Sequence, residues 1–132
     1  MTRYDVVTLE GTTDGSGDAT VDSRAVTGEV VYVEVEGAAL TDSANLVLST
    51  LLTQVAGTTE VGETIINHAD VGNASVDKLY PARFLQDNAG AALAVAVGVS
   101  APCRYFVPGA KLRAVISAGG ATKAFRVRVW LA

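Results

Sequence analysis

Residues 125–131 of the chain are Phe-Arg-Val-Arg-Val-Trp-Leu, in which apolar and polar positions alternate without a break. Successive side chains of a β-strand point to opposite faces, so this period of two predicts one buried and one exposed face. The predicted inward residues are Phe125, Val127, Val129 and Leu131. The predicted outward residues are Arg126, Arg128 and Trp130. This segment predicts a half-buried strand at the core of the fold.

A second stretch with the same period lies at residues 31–36, Val-Tyr-Val-Glu-Val-Glu. It predicts that Val31, Val33 and Val35 face the core. The predicted outward residues of this stretch are Tyr32, Glu34 and Glu36. Cross-strand pairing of these two glutamates with the outward arginines of the last strand would explain both stretches, and so would contact with an acidic partner surface.

Shorter β-rich stretches cover much of the remaining chain. The further predicted strands lie at residues 3–9, 19–23, 45–49, 63–70, 93–99 and 111–117. Leu51, Leu52 and Val55 could continue the strand at 45–49 or form one helical turn, and the strand is favoured. A turn at residues 118–121 predicts that the strand at 111–117 forms a hairpin with the last strand. No stretch of ten or more residues carries a helical period with caps. The sequence therefore predicts an all-β fold, a single-domain antiparallel β-sandwich or barrel of about eight short strands over residues 1–132.

The composition predicts a protein that covers part of its own surface by assembly. The chain has 132 residues and a net charge of −4, with 49% hydrophobic but only 18% charged residues. Soluble domains average about 25% charged residues. An apolar chain with so little surface charge commonly buries part of its exterior against copies of itself or a partner.

Charge is unevenly distributed along the chain. Residues 1–77 contain 13 acids and two bases, whereas residues 78–132 contain one acid and eight bases. Ion pairs inside one fold, between acidic and basic strands, are the favoured interpretation, and head-to-tail contact between subunits is compatible with it.

Motifs for metal, cofactor or catalytic chemistry are weak. Asp14, Ser16 and Asp18 have the spacing that begins a calcium loop, but Ala19 and Ala25 stand where that loop needs Gly and Glu, so a solvated turn is predicted. The chain has one cysteine and one histidine, and it lacks nucleophile-elbow and phosphate-loop motifs. We therefore predict no enzyme activity, no catalytic residues, no cofactor and no metal.

His68 and Cys103 have structural interpretations that we favour over chemical ones. His68 could hydrogen-bond Asp70, but it follows two isoleucines and is predicted to be a polar residue of a strand. Cys103 precedes Arg104, whose charge could lower the thiol pKa, yet a small half-buried side chain is the favoured interpretation.

Nucleic acid, membrane and carbohydrate partners are disfavoured by the same sequence. The net charge is negative, and no apolar run approaches the length of a membrane span. The first residues have no signal-peptide pattern, so synthesis in the cytoplasm is expected. A carbohydrate-binding module would need grouped exposed aromatics, whereas the eight aromatics are dispersed and only Tyr32 and Trp130 are predicted to face outward.

Several segments taken in order resemble small virion proteins of tailed bacteriophages. They are TTDGSGDATVDS (12–23), VYVEVEG (31–37), SANLVLST (43–50), ETIINHAD (63–70), LYPARFLQDNAGAAL (79–93), VPGAKLRAVISAGG (107–120) and TKAFRVRVWL (122–131). The resemblance implies an all-β capsid decoration, or cement, protein on the outside of the head. It implies binding to the major capsid protein and a homotrimer. A head-fibre, neck or tail component and a carbohydrate-binding β module remain alternatives.

Arginine and aromatic side chains commonly dominate the binding energy of an interface. The predicted interface residues are Tyr32, Glu34, Glu36, Arg83, Phe84, Arg126, Arg128 and Trp130. Residues 1–20, which comprise the first strand and the loop at 11–18, are a candidate clasp between neighbouring subunits.

Overall fold

The described residues fold mainly into antiparallel β-strands. A computed structural model describes residues 3–53, 57–73, 76–84, 94–96, 99–100 and 102–132. The long strands are β1 (Asp5–Thr12), β2 (Ala19–Glu36), β3 (Asn45–Thr53), β4 (Thr59–His68), β10 (Phe106–Ser117) and β11 (Ala124–Leu131). The short strands are β5 (Asp77–Leu79), β6 (Arg83–Phe84), β7 (Ala94–Ala96), β8 (Val99–Ser100) and β9 (Pro102–Cys103). A short 3-10 helix covers Val71–Asn73.

Seven strands are hydrogen-bonded in the order β1-β11-β2-β10-β3-β4, with β5 also paired to β2. In one half of the sheet, the end of β2 pairs with β11 and β5, and β11 pairs with β1. In the other half, the beginning of β2 pairs with β10, β10 pairs with β3, and β3 pairs with β4. The pairs β6–β9 and β7–β8 stand apart from this order. The predicted all-β antiparallel, sandwich-like fold is confirmed.

Both halves contribute to one hydrophobic core. From the first half, Val33, Val35, Val127 and Val129 are completely buried. From the second half, Leu46, Leu48, Leu112 and Ile116 are completely buried. Burial of each such side chain contributes about 1.5–3 kcal/mol relative to its exposure, so this shared core holds the halves together.

The last strand has the predicted faces but not the predicted partner. The inward and outward sets of β11 are confirmed by burial. The predicted hairpin is wrong, because β11 pairs with β1 and β2 while β10 pairs with β2 and β3. The turn between β10 and β11 therefore leads from one half to the other. A period of two identifies the buried face of a strand but not its neighbour.

β2 is one strand of 18 residues instead of the two shorter strands predicted at 19–23 and 31–36. Its pairing with β11 is irregular, because Trp130 is opposite Tyr32 whereas the next residue, Leu131, is opposite Val30. The extra residue at Val31 shifts the phase of the strand. Val30 is therefore buried in the core and Val31 is only half-buried, which corrects the prediction for Val31.

Gly28 lies near the end of the pairing between β2 and β10, whose last pair is Glu29 with Phe106. Its φ is +147° and a Cβ added to it would lie 2.8 Å from the carbonyl oxygen of Ala132. Directly beyond it, Glu29 and Ala132 exchange two backbone hydrogen bonds of 3.1 and 2.9 Å. Only glycine combines this backbone conformation with so close an approach. Gly28 thus permits β2 to change partners.

A bulge in the first half of β2 is stabilised by Ser23. Asp22 and Ala25 are opposite Arg113 and Lys111, so two residues of β2 face Leu112 alone. The Leu112 N–H donates to Ser23 Oγ at 2.9 Å, and this hydroxyl donates to the Arg24 carbonyl at 2.7 Å. The side chain thus satisfies a backbone donor that the bulge removes from the ladder.

Two further predictions concern the strand expected at 93–99 and the clasp expected at the start of the chain. Of the strand predicted at 93–99, residues 93, 97 and 98 lie outside the described residues. β1, the predicted clasp strand, pairs with β11 of its own chain over residues 5–12. Its role as a clasp between subunits stays a prediction.

We expect Gly28→Ala to lower the free energy of unfolding by about 1–3 kcal/mol, because the methyl group would require a strained backbone and displace Ala132. Gly15→Ala is the matched control, since nothing lies within 4 Å of a Cβ there. It should change the same free energy by less than about 0.5 kcal/mol. Urea unfolding measures both, and equal stability of the two variants would contradict the role assigned to Gly28.

Candidate binding surface

The side of strands β1, β11, β2 and β5 that points away from the core carries most of the predicted interface residues. We call this surface the outer face. The strand registers place its side chains in rows across the sheet. One row contains Val6, Trp130 and Tyr32. The next contains Thr8, Arg128, Glu34 and Lys78, and a third contains Glu10, Arg126 and Glu36.

Two arginines and two glutamates form a ladder of ion pairs on this face, the Arg–Glu ladder (Glu34, Glu36, Arg126, Arg128). Arg126 binds Glu36 through two nitrogens at 2.6 and 2.8 Å. Arg128 Nη2 reaches Glu34 at 2.7 Å and Glu36 at 3.1 Å. The Glu36 carboxylate raises the pKa of Arg126 through its hydrogen bond. The predicted cross-strand match of these residues is confirmed.

Three aromatic rings lie side by side next to the ladder, and we call Trp130, Tyr32 and Tyr80 the aromatic row. The ring centroids of Tyr32 and Trp130 are 5.0 Å apart, and those of Tyr32 and Tyr80 are 5.1 Å apart. Both pairs are tilted, by 52° and 41° respectively. The Arg128 guanidinium carbon lies 5.6 Å from the Trp130 ring centroid, within cation–π range. The ladder and the row are therefore joined at Arg128.

The hydroxyl of Tyr32 links the row to the ladder on its other side. It donates a hydrogen bond to Glu34 Oε1 at 3.2 Å. Partial loss of hydration, followed by the Glu34 carboxylate, raises the pKa of Tyr32 above 10.0. Tyr32 therefore stays protonated at neutral pH and its donor is directed to Glu34.

Tyr80 is the functional candidate that the sequence did not identify. It is 75% exposed, the largest exposed fraction among the large hydrophobic side chains described. It follows β5, a strand of three residues, and precedes Pro81, so no periodicity assigns it to a face. The expectation that exposed aromatics are dispersed is wrong, because Tyr80 completes a group of three on one face.

Arg83 and Phe84 are not part of this face. They form β6, which pairs with β9. Arg83 Nη1 binds Glu63 Oε2 of β4 at 2.7 Å. The side chain of Phe84 lies outside the described residues, and an interface role for both residues stays a prediction.

Ion pairs join the acidic part of the chain to the basic part. Besides the ladder, Arg113 binds Asp22 through two hydrogen bonds of 2.7 and 2.9 Å, which lower the pKa of that carboxyl. Arg104 lies 3.6 Å from Glu29. The favoured interpretation of the uneven charge distribution, pairing inside one fold, is confirmed by these contacts.

The Asp14 loop is an ordered turn. Asp14 Oδ1 accepts the backbone N–H of Ser16 at 2.8 Å and of Asp18 at 3.0 Å. These hydrogen bonds, that of Asp18 first, lower the pKa of Asp14 below 3.8. The neighbouring Gly17 carbonyl accepts the Gly119 N–H at 2.8 Å, which ties this loop to the β10–β11 turn. The carboxylate thus caps its own loop.

His68 contacts Asp77 instead of the Asp70 considered from sequence, with Nε2 and Oδ2 3.3 Å apart. This contact lacks hydrogen-bond geometry, and it connects β4 with β5, the last strands of the two halves. Cys103 is half-exposed in β9. Among the described residues, no three His, Cys, Asp or Glu side chains stand close enough to hold a metal ion. No described helix has the length and apolarity to cross a membrane.

A groove of about 260 Å³ adjoins the aromatic row. Tyr80 and Pro81 form one side, and Asn67 and His68 of β4 form part of the other. Tyr80 thus belongs both to the row and to a groove whose lining is mostly apolar, with Asn67 and His68 as its polar side chains.

No protein-family model matches the chain, and the search of curated proteins found no similar sequence. Among solved structures, the Yersinia pseudotuberculosis-derived mitogen is similar with a TM-score of 0.43 and 12% identity, over 97% of this chain and 86% of the mitogen. Infectious bursal disease virus, Gx strain, gives a TM-score of 0.40 and 11% identity, over 98% of this chain and 32% of that chain. The Gt strain gives 0.40 and 10%, over 98% and 33%.

We expect the pair Arg126 and Glu36 to show a stabilising coupling in a double-mutant cycle with Arg126→Gln and Glu36→Gln. The coupling should shrink in molar salt, because both side chains are partly exposed and screened. The control cycle is Arg24→Gln with Asp5→Asn, whose side chains are more exposed at 59% and 49%. It should give a smaller coupling. Zero coupling for Arg126 and Glu36 at low salt would contradict the ladder.

The Asp14 carboxyl should titrate below pH 3.8 in the folded protein, because its charged form accepts two backbone N–H groups. A lowered pKa means that its stabilisation is complete above the unfolded value near 3.9 and is lost as pH falls through the folded pKa. Carboxyl-carbon NMR measures the midpoint, and Asp14→Asn assigns the signal by removing it. A midpoint at or above 3.8 would show that the loop is not capped in solution.

Proposed function

We propose that the protein is a non-enzymatic structural protein of a bacteriophage virion, of the capsid decoration (cement) type. In this proposal it binds the major capsid protein on the outside of the head and associates as a homotrimer. The observation that carries the proposal is the gathering of six predicted interface residues on the outer face. The ordered sequence resemblance to phage virion proteins supports the same conclusion.

The chemistry of the outer face suits a permanent contact. Interface centres are enriched in aromatic and arginine side chains and depleted in unpaired charge. Here Arg126 and Arg128 are already paired with glutamates of the same chain. A partner would therefore cover a face whose charges are neutralised before it arrives, which lowers the cost of removing water.

The edge position of β1 fits the proposed clasp. β1 is the last strand of its half and is hydrogen-bonded on one side to β11. Exchange of β1 between copies would preserve the same ladder, and such exchange links protomers at little cost. Light scattering measures the association, and a trimer that persists in high salt would indicate apolar burial.

A carbohydrate-binding module is the second candidate, and one observation favours it. The three rings of the aromatic row lie together on one exposed face. The two candidates share Tyr32 and Trp130, so a capsid subunit and a glycan would compete for the same face.

The experiment that tests the decoration function is binding of the purified protein to heads from a phage that lacks its gene. We expect saturable binding in proportion to the capsid subunits, and weaker occupancy for an Arg126→Ala/Arg128→Ala variant because the partner would meet unpaired Glu34 and Glu36. Lys123→Ala, an exposed cation beyond the face, is the control and should retain occupancy.

Two results would contradict the proposal. Absence of binding to such heads would exclude a decoration role. Occupancy limited to a single ring of copies would assign the protein to the neck or tail. Circular dichroism of the double variant separates a lost contact from a lost fold.

A further inference from the structure

We propose that the aromatic row is a binding site for a neutral glycan built from hexopyranose units. Trp130, Tyr32 and Tyr80 would stack on the sugar rings, and Glu34 would accept a sugar hydroxyl. This site specifies the carbohydrate-binding candidate named above and rests on it, but it does not depend on the decoration function, because its ligand is a carbohydrate and not a capsid subunit.

The first step of the argument is the shape of the row. Three rings follow one another across neighbouring strands at centroid spacings of 5.0 and 5.1 Å. The face of an aromatic ring is electron-rich and attracts the weakly positive C–H groups that line one side of a pyranose ring. Tyr80, at 75% exposure, offers its ring to a ligand, and the half-buried rings of Tyr32 and Trp130 extend the aromatic surface beside it.

The second step is the polarity of the groups beside the row. The carboxylate of Glu34 already accepts from Tyr32 and Arg128, and each carboxylate oxygen has a second lone pair for a further donor. Sugar hydroxyls are such donors, and a hydrogen bond to a charged acceptor is stronger than one between neutral groups. The site thus combines stacking with an acceptor that fixes orientation, as ligand sites do.

The third step excludes charged polymers. The arginines next to the row are bound to Glu34 and Glu36 at 2.6 to 3.1 Å. A phosphate or sulfate group bound there would be repelled by the charged carboxylates of Glu34 and Glu36 beside these arginines. The surface therefore favours a ligand without charge.

The fourth step favours a glycan over a proline-rich peptide, which also docks on aromatic surfaces. Such a peptide offers carbonyl acceptors and few N–H donors, so it needs donors from the protein. The Tyr32 hydroxyl is instead directed to Glu34, and Arg126 and Arg128 are bound to Glu34 and Glu36, so these donors are already engaged. Sugar hydroxyls complement the two carboxylates, whereas peptide carbonyls do not.

The groove beside Tyr80 extends the site. It has a volume of about 260 Å³, and Asn67 and His68 line it. Amide and imidazole groups both donate and accept hydrogen bonds, which suits hydroxyl groups. A sugar chain that leaves the row over Tyr80 would enter this groove.

Trp130 provides a direct measurement, because it is the only tryptophan in the chain and lies in the row. The full-length protein is titrated with maltohexaose, cellohexaose, mannohexaose and galactan oligosaccharides while its fluorescence is recorded. A heparin oligosaccharide and a proline-rich peptide are titrated in parallel. We expect a saturable spectral shift with at least one neutral oligosaccharide and none with the other two probes.

Tyr80→Ala should weaken this binding by roughly five- to tenfold, through loss of one stacking ring. Phe106→Ala is the matched control, because Phe106 is a 55% exposed aromatic outside the row and should bind as the unchanged protein does. Glu34→Gln, which keeps an acceptor without the charge, should weaken binding less than Tyr80→Ala. Near-ultraviolet circular dichroism confirms that each variant is folded.

Three results would overturn the proposal. They are the absence of a saturable shift with every neutral oligosaccharide at millimolar concentration, a shift unaffected by Tyr80→Ala, and a stronger response to the peptide or to heparin. Head occupancy of Tyr80→Ala is measured alongside. Retained occupancy with lost glycan binding separates this site from the decoration function, and lost occupancy with no glycan binding makes the row a protein interface.

Discussion

The membership of β2 in both halves of the sheet is the constraint on which the rest of the structure depends. Its first part pairs with β10 and its last part with β11, so one continuous strand carries the chain from one side of the core to the other. Gly28 allows the change of partner, and the extra residue at Val31 restores inward packing after it. Without that phase shift, Val33 and Val35 would face water and Tyr32 and Glu34 would face the core.

The same constraint explains how acidic and basic residues that are separated along the sequence form ion pairs on the surface. β11, from the basic part of the chain, lies beside the acidic end of β2, so each outward arginine meets an outward glutamate. β10 lies beside the start of β2, where Arg113 meets Asp22. Complementary charges far apart in sequence thus become neighbours through strand order, and each exposed pair adds modestly to stability.

The sequence predicted which face of a strand is buried, but it did not predict which strands pair or where a bulge interrupts a strand. Alternation in β11 identified its buried residues and, with the pattern at 31–36, the Arg–Glu ladder. The supposed hairpin failed because β10 and β11 are consecutive yet belong to different halves, which depends on long-range packing. The prediction that Val31 faces the core was wrong because a bulge at this residue shifts the alternation by one position. Tyr80 was missed because it lies beyond a strand too short to show a period.

The outer face joins two surfaces of different chemistry through one guanidinium. Arg128 binds Glu34 and Glu36 with its Nη2 and lies near the Trp130 ring, so the ladder positions the aromatic row from one side and the Tyr32 hydroxyl positions it from the other. Rings held in place before a ligand arrives lose little freedom on binding, which favours affinity. Because the arginine charges are already matched, contact with this face is governed by stacking and by hydrogen bonds to the glutamates. We propose that this favours neutral ligands with hydroxyl donors over charged ones.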